Sequence, residues 1–269
     1  MKKKRIIPIV FYQNGALVQT KSFSQYFDLG SPITIVDRFN SWDADELIYL
    51  NISDKNLPFK RRKDRNFESP ENFTEVIKYV SKNAFMPLTA GGKITSLEDI
   101  NNLLNVGADK IVINTVAYKN KKFIEEASKT FGSQCIVVSI DYKILNNDKI
   151  VFVNNGKENT NTKLNEFIKF AEDNGAGEIL INSIDRDGLG QGFDIETINE
   201  ISKSLNLPLI AAGGAGSIED FVDTFKECSD VDALAAGNIF NFIDQSVFLI
   251  RDNLYKQKIN VRKPKIFDE

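Results

Sequence analysis

Apolar, largely β-branched runs five to eight residues long recur along the chain, separated by segments whose apolar positions fall every three or four residues. The first pattern reads as buried strands and the second as amphipathic helices. Strands are expected at 5–11, 46–52, 86–90, 110–114, 134–141, 178–183, 207–212 and 232–236. Helical periodicity is clearest at 72–83, 96–107, 121–132 and 163–175, and the last three of these segments end on glycine, a helix stop signal. Ser96 precedes Glu98-Asp99 and Ser217 precedes Glu219-Asp220, so a capping hydroxyl and acids stand at two helix starts. Eight strand–helix units in 269 residues predict an α/β fold, a parallel (β/α)8 TIM barrel. A doubly wound sheet is the alternative.

The halves resemble each other. "PLTAGG" (87–92) returns as "PLIAAGG" (208–214), each before a serine-capped acidic helix start. "DELIYLNIS" answers "GEILINSID", and "ADKIVINT" answers "VDALAAGN". The order of strands 2, 3 and 4 is thus repeated in strands 6, 7 and 8, as expected of a two-fold half-barrel repeat. A single domain over 1–269 is expected, with half-barrels of about 1–131 and 132–269. Two tandem flavodoxin-like halves would give a similar pattern, but no linker composition marks the midpoint. In the barrel, "IPIVFYQ" and "VVSIDYK" become pseudo-symmetric strands, and Phe11 faces the position of Asp141.

Composition narrows the chemistry. There is no histidine, which removes Ser-His-Asp and Cys-His schemes and imidazole metal sites. A net charge of −3 gives no overall nucleic-acid footprint, and no run approaches the roughly 20 apolar residues of a membrane span. The start, "MKKKRIIPIVFYQNG", has too short an apolar run for a signal peptide, so a cytoplasmic location is expected. Cys135 and Cys228 fit neither a disulfide framework nor a metal knuckle and read as reduced core residues.

Strand ends carry the candidate site. Gly213-Gly214-Ala215-Gly216 before Ser217 offers backbone N–H groups to an anion, with Gly91-Gly92 as its weaker partner. Gly237-Asn238 and Asn114-Thr115 add donors at neighbouring strand ends. Either glycine pair alone also fits a simple tight turn; recurrence at symmetric strand ends favours phosphate. Asp185 and Asp187, in "NSIDRDGLGQG", serve either an Asx-type turn or a pocket shared with Asp141. At the opposite ends, Arg5, Glu46, Lys110 and Glu178 each open an apolar run. They are either four solvated charges or a neutral ring about the axis, since unpaired burial costs several kcal/mol.

With these residues in view, the chain resembles, nearly end to end, the HisF family, the cyclase subunits of imidazole glycerol phosphate synthase. The stretches "KRIIP", "DELIYL", "GADKIVINT", "FGSQCIVVSIDYK", "GAGEILINSIDRDG", "PLIAAGGAGSIEDF" and "INVRKP" carry the likeness. It implies a TIM barrel with no metal or organic cofactor and a glutaminase subunit, HisH-like, docked on the barrel's bottom. Ammonia from that partner would pass a charged gate, carried over onto Arg5, Glu46, Lys110 and Glu178, and reach a phosphorylated small molecule at the top. The acid–base pair carries over onto Asp141 and position 11, which is Phe11. Gly91, Gly92, Asn114, Thr115, Asp187, Gly188, Gly213, Gly214, Gly237 and Asn238 are the expected phosphate and substrate binders.

The chain also departs from the family. An active-site lysine becomes Gln19, a phosphate-loop glycine becomes Lys93, an aspartate becomes Asn51, and a basic loop, 58–73, is inserted. A centre damaged beside an intact gate resembles a HisF-like branch from surface-polysaccharide gene sets. Such proteins pass ammonia to a sugar amidotransferase, here expected at the top face, with Arg61, Arg62, Lys63 and Arg65 steering the partner or an anionic substrate. A true cyclase that has reassigned the acid to Asp187 or Asp185, and a scaffold that only activates a glutaminase, are the other readings.

Overall fold

A computed structural model describes residues 2–60 and 70–264. Its strands run, in chain order, β1 (Arg5–Gln13), β2 (Ala16–Lys21), β3 (Gln25–Gly30), β4 (Leu47–Asn51), β5 (Leu88–Gly91), β6 (Lys110–Ile113), β7 (Ile136–Leu145), β8 (Asp148–Val153), β9 (Glu158–Lys163), β10 (Glu178–Ser183), β11 (Leu209–Ala212) and β12 (Ala233–Ala236). Neighbours pair in the order β10-β11-β12-β1-β4-β5-β6-β7, and β7 pairs back onto β10. Every one of these contacts is parallel. The sheet therefore closes into an eight-stranded barrel with helices around it, and the doubly wound alternative fails because it would leave two open edges.

The strand alternation explains why these runs are so apolar. Ile6, Val10, Leu47, Tyr49, Ile111, Val138, Ile179 and Leu234 belong to the core between sheet and helices. Ile7, Ile9, Phe11, Ile48, Val112, Val137, Leu180, Ile210 and Ala235 form a separate cluster inside the barrel. Both strand faces are buried, as in parallel sheets covered by helices. All eight expected barrel strands are present, with ends shifted by up to four residues. The four expected helices appear as Phe73–Asn83, Leu97–Asn105, Phe123–Phe131 and Leu164–Asp173. Ser96 and Ser217 each form a full capping box, with Asp99 and Asp220 reaching back to the cap N–H.

Two antiparallel extensions differ from the simple strand–helix reading. β1 runs on into a hairpin with β2 and then β3, and β7 into β8 and β9. Asn14 and Gly15 have φ of 48° and 95°, the left-handed pair that a two-residue hairpin turn needs. The hairpins rise from opposite strands and overhang the barrel's upper mouth. Of the cysteines, Cys228 is buried, but Cys135 is only half-buried at the end of a short 3-10 turn. No helix among the described residues is long and apolar enough to cross a membrane.

Candidate active site

The inward parity of the strands places charge at one end of the barrel and polar groups at the other. At the lower end, Glu46 accepts hydrogen bonds from Arg5 Nη1 at 2.7 Å, from Lys110 Nζ at 3.2 Å to each oxygen, and from Thr89 Oγ1 at 2.7 Å. Glu178 accepts from Arg5 Nη2, and from Lys110 Nζ at 2.9 Å. The two carboxylates are buried and the two cations partly so. The ring of two cations and two anions has formed, in preference to four solvated charges. The Glu178 guanidinium partner, Arg5, is pushed up from its ordinary value by Glu178 and Glu46, which outweigh its burial.

Four residues further along the same strands, about 13 Å at an ordinary strand rise, lies the upper mouth. Its main cavity, about 400 Å³, is lined on one side by Phe11, Leu50, Ile52, Val112 and Tyr26 and on another by Asn114, Ser139, Asp141 and Asn182. Asp141 is 7% exposed and accepts a hydrogen bond from Asn114 Nδ2 at 3.0 Å. Burial pushes its carboxyl up to about 7, the charge of Asp187 adds to the rise, and hydrogen bonds from Asn114 and Asn182 partly oppose it. A carboxyl poised near neutrality can both accept and donate a proton.

Asp187, after β10, is also buried and also raised by that burial. Thr20 Oγ1 on the first hairpin donates to it at 3.0 Å, and Phe23 N at 3.3 Å. Asp185 goes elsewhere: it is exposed and accepts from Ile144 N at 2.8 Å, outside both cavities.

The expected phosphate binders divide between two spaces. Gly92, Asn114 and Thr115 line the main cavity. Asp187, Gly188, Gly213, Gly214, Gly237 and Asn238 line a second space of about 20 Å³. Phe11 and Asn182 border both. Gly91 lines neither; it lies against β6, where an added Cβ would meet the Val112 carbonyl oxygen at 2.3 Å. Gln19 also lines neither. Asn51 lines the main cavity and accepts from Ser53 N at 3.0 Å, and Lys93 stands exposed at its rim. Arg61, Arg62, Lys63 and Arg65 lie outside the described residues.

Sequence reasoning missed Asn182, which is in register with Asp141 on the neighbouring strand and buried beside it. Its parity with Glu178 and Leu180 was the available signal. Thr20, Phe23 and Tyr26 belong to the first hairpin, a stretch to which the strand and helix patterns of the sequence assign no element.

Comparison with known proteins agrees with this layout. The family model described as "Histidine biosynthesis protein" matches residues 5–244. The "Imidazole glycerol phosphate synthase subunit HisF" of Natranaerobius thermophilus is 38% identical over 262 residues, 97% of this chain and 100% of that one. Its namesake in Campylobacter concisus is 39% identical over 259 residues, 96% of this chain and 98% of that protein. The one in Staphylococcus saprophyticus is 39% identical over 264 residues, 97% and 100% of the two chains.

Proposed function

The chain belongs to the histidine biosynthesis protein family, among relatives of the HisF subunits, and from that premise we propose that it is the ammonia-using synthase subunit of a glutamine amidotransferase complex. A HisH-like glutaminase subunit sits beneath the lower rim. Ammonia passes Arg5, Glu46, Lys110 and Glu178, crosses the apolar interior, and reacts with a phosphorylated small molecule in the upper cavity. The observation that carries this reading is the closed charge ring at one end of an apolar interior whose other end holds Asp141. Such an interior strongly disfavours an ammonium ion but admits neutral ammonia, because burying an unpaired charge costs far more than burying a small polar molecule. In the imidazole glycerol phosphate synthase reaction that the relatives' name supplies, Asp141 is the group that moves protons during cyclisation.

Phe11 favours a second reading. It stands where the resemblance expects the second acid, and a phenyl ring accepts no proton; loss of such a group typically forfeits about 10²–10⁴-fold in rate. On this reading the ammonia goes on to a sugar amidotransferase at the upper face, for a surface-polysaccharide sugar. The experiment mixes the protein with its glutaminase, glutamine and the ribulosyl phosphate substrate of histidine synthesis. Ready formation of imidazole glycerol phosphate supports the cyclase. Its absence, with glutamine nitrogen appearing in an N-acetyl sugar once the amidotransferase is added, supports the second reading. Nitrogen transfer indifferent to obstruction of the ring sinks both.

A further inference from the structure

We propose that Lys93 is the cation that receives the phosphate of a ligand in the main cavity, and that the chain holds this lysine over the mouth against the preference of its own backbone. The inference rests on the reading above for the phosphorylated class of ligand.

The two half-barrels supply the comparison. After β5 the chain reads Gly92-Lys93 and reaches the capping serine, Ser96; after β11 it reads Gly213-Gly214 and reaches Ser217. Lys93 and Gly214 each lie three residues before their serine and are therefore mates. Both are left-handed, with φ of 60° and 111°. Glycine adopts that region freely, whereas a Cβ there crowds the following carbonyl oxygen. The turn cannot relax towards β4, because Gly92 is also left-handed and a Cβ on it would meet the Asn51 carbonyl oxygen at 2.2 Å. One half-barrel thus fills the strained position with the residue that suits it, and the other with a lysine at the rim of a cavity. Backbone strain kept at a pocket points to a use for the side chain.

The charges say what that use is. Among the described residues that line the main cavity, Lys93 and Lys119 are the cations and Asp141 is the acid. Lys119 Nζ donates to Glu158 at 2.7 Å. Asp54, whose charge reaches Lys93, accepts from Asn56 N at 3.0 Å and pairs with Lys157 at 3.5 Å. Lys93 itself makes no ion pair with a described residue. Partial burial pulls its ammonium below the ordinary value; Asp54 opposes the fall and Lys157 adds to it. A cation in that position lacks a counter-charge. A phosphate on the β5 side of the cavity supplies one, with Gly92, Thr115 and Asn155 lining the same space.

Calorimetry on the full chain with ribose 5-phosphate as the probe tests this, with thermal melts beside it. Lys93→Gln is expected to weaken binding about tenfold, the loss of one charged hydrogen bond at a half-open rim. Lys93→Arg keeps the cation and is expected to stay within about threefold of the wild type. Lys129→Gln removes the same charge from the helix Phe123–Phe131, where it pairs with Glu125, and is expected to leave the affinity unchanged. Lys93→Gly, which installs the residue of its mate, is expected to bind as weakly as Lys93→Gln and yet to melt about 2 °C higher than the wild type. Relief of strain exceeds the added freedom of glycine in the unfolded chain. That combination separates a residue held for a ligand from one held for the fold. The inference is overturned if the wild type does not bind ribose 5-phosphate, if Lys93→Gln binds it as the wild type does, or if Lys129→Gln weakens it equally. It is overturned as well if Lys93→Gly fails to melt above the wild type, for the lysine would then serve the turn. No glutaminase or turnover enters this experiment, so its failure is separable from failure of nitrogen transfer in the complex.

Discussion

Removing one cation from the lower ring is the most informative perturbation of the fold. In Lys110→Met, Glu46 loses contacts of 3.2 Å to both oxygens and Glu178 one of 2.9 Å. Two buried carboxylates are then left to Arg5 alone. Breaking a buried ion pair in this way costs about 3–5 kcal/mol; because Arg5 still reaches both carboxylates, the lower end, about 3 kcal/mol, is expected. For a chain of this size that is a fall in Tm of about 6–12 °C. The excess negative charge makes one carboxyl hold a proton in the folded state that it releases on unfolding. The folded chain then binds more protons, so the variant's stability falls as pH rises above the ordinary carboxylate range. Adding Glu178→Leu restores neutrality around Arg5 and Glu46 and is expected to recover at least about half of the loss. Urea melts at pH 5 and pH 8 measure all three quantities. A loss below about 1 kcal/mol, or one no greater at pH 8 than at pH 5, would mean that the ring behaves as solvated surface charge.

Three further outcomes follow from the same reasoning. Burial raises Asp141 to about 7, so the folded state keeps a proton that the unfolded chain has lost; this stabilisation is full below about pH 4 and disappears as pH rises through 7. Asp141→Asn should therefore be more stable than the wild type by up to about 4 kcal/mol at pH 8, little changed at pH 4, and about 10²–10⁴-fold slower in any proton-transfer step; equal melts at pH 8 would contradict it. Phe85 is 89% exposed at the lower rim, beside a recess bordered by Lys3, Lys4 and Arg5, so Phe85→Ala should weaken glutaminase binding about 30-fold by calorimetry without lowering Tm. Ser217→Ala removes one side of a capping box and should cost about 1 kcal/mol in urea melts.

The barrel was legible because both faces of its strands are buried, which leaves unbroken apolar runs that few other folds need. The ring was legible for a related reason: a charged residue at the first position of an apolar run has only the barrel's end to occupy. The hairpins were less so. Asn14-Gly15 announces a turn, but "FDLG" in β3 alternates too weakly and too exposed to read as a strand. The division of the mouth could not be read at all, because it depends on how far the Phe11 ring reaches and on Thr20 meeting Asp187 and Asn238 from distant parts of the chain. Phe11 was visible in the sequence as a missing acid, and the structure adds that it borders both spaces of the mouth.

The passage of nitrogen through the barrel is tested most directly with glutamine labelled with 15N at its amide, supplied to the protein with its glutaminase while unlabelled ammonia is present in excess in solution. Product nitrogen is expected to carry the label undiluted in the wild type and to become diluted when the ring is obstructed at Lys110 or Glu46. Full exchange with the unlabelled pool in the wild-type complex would contradict the account.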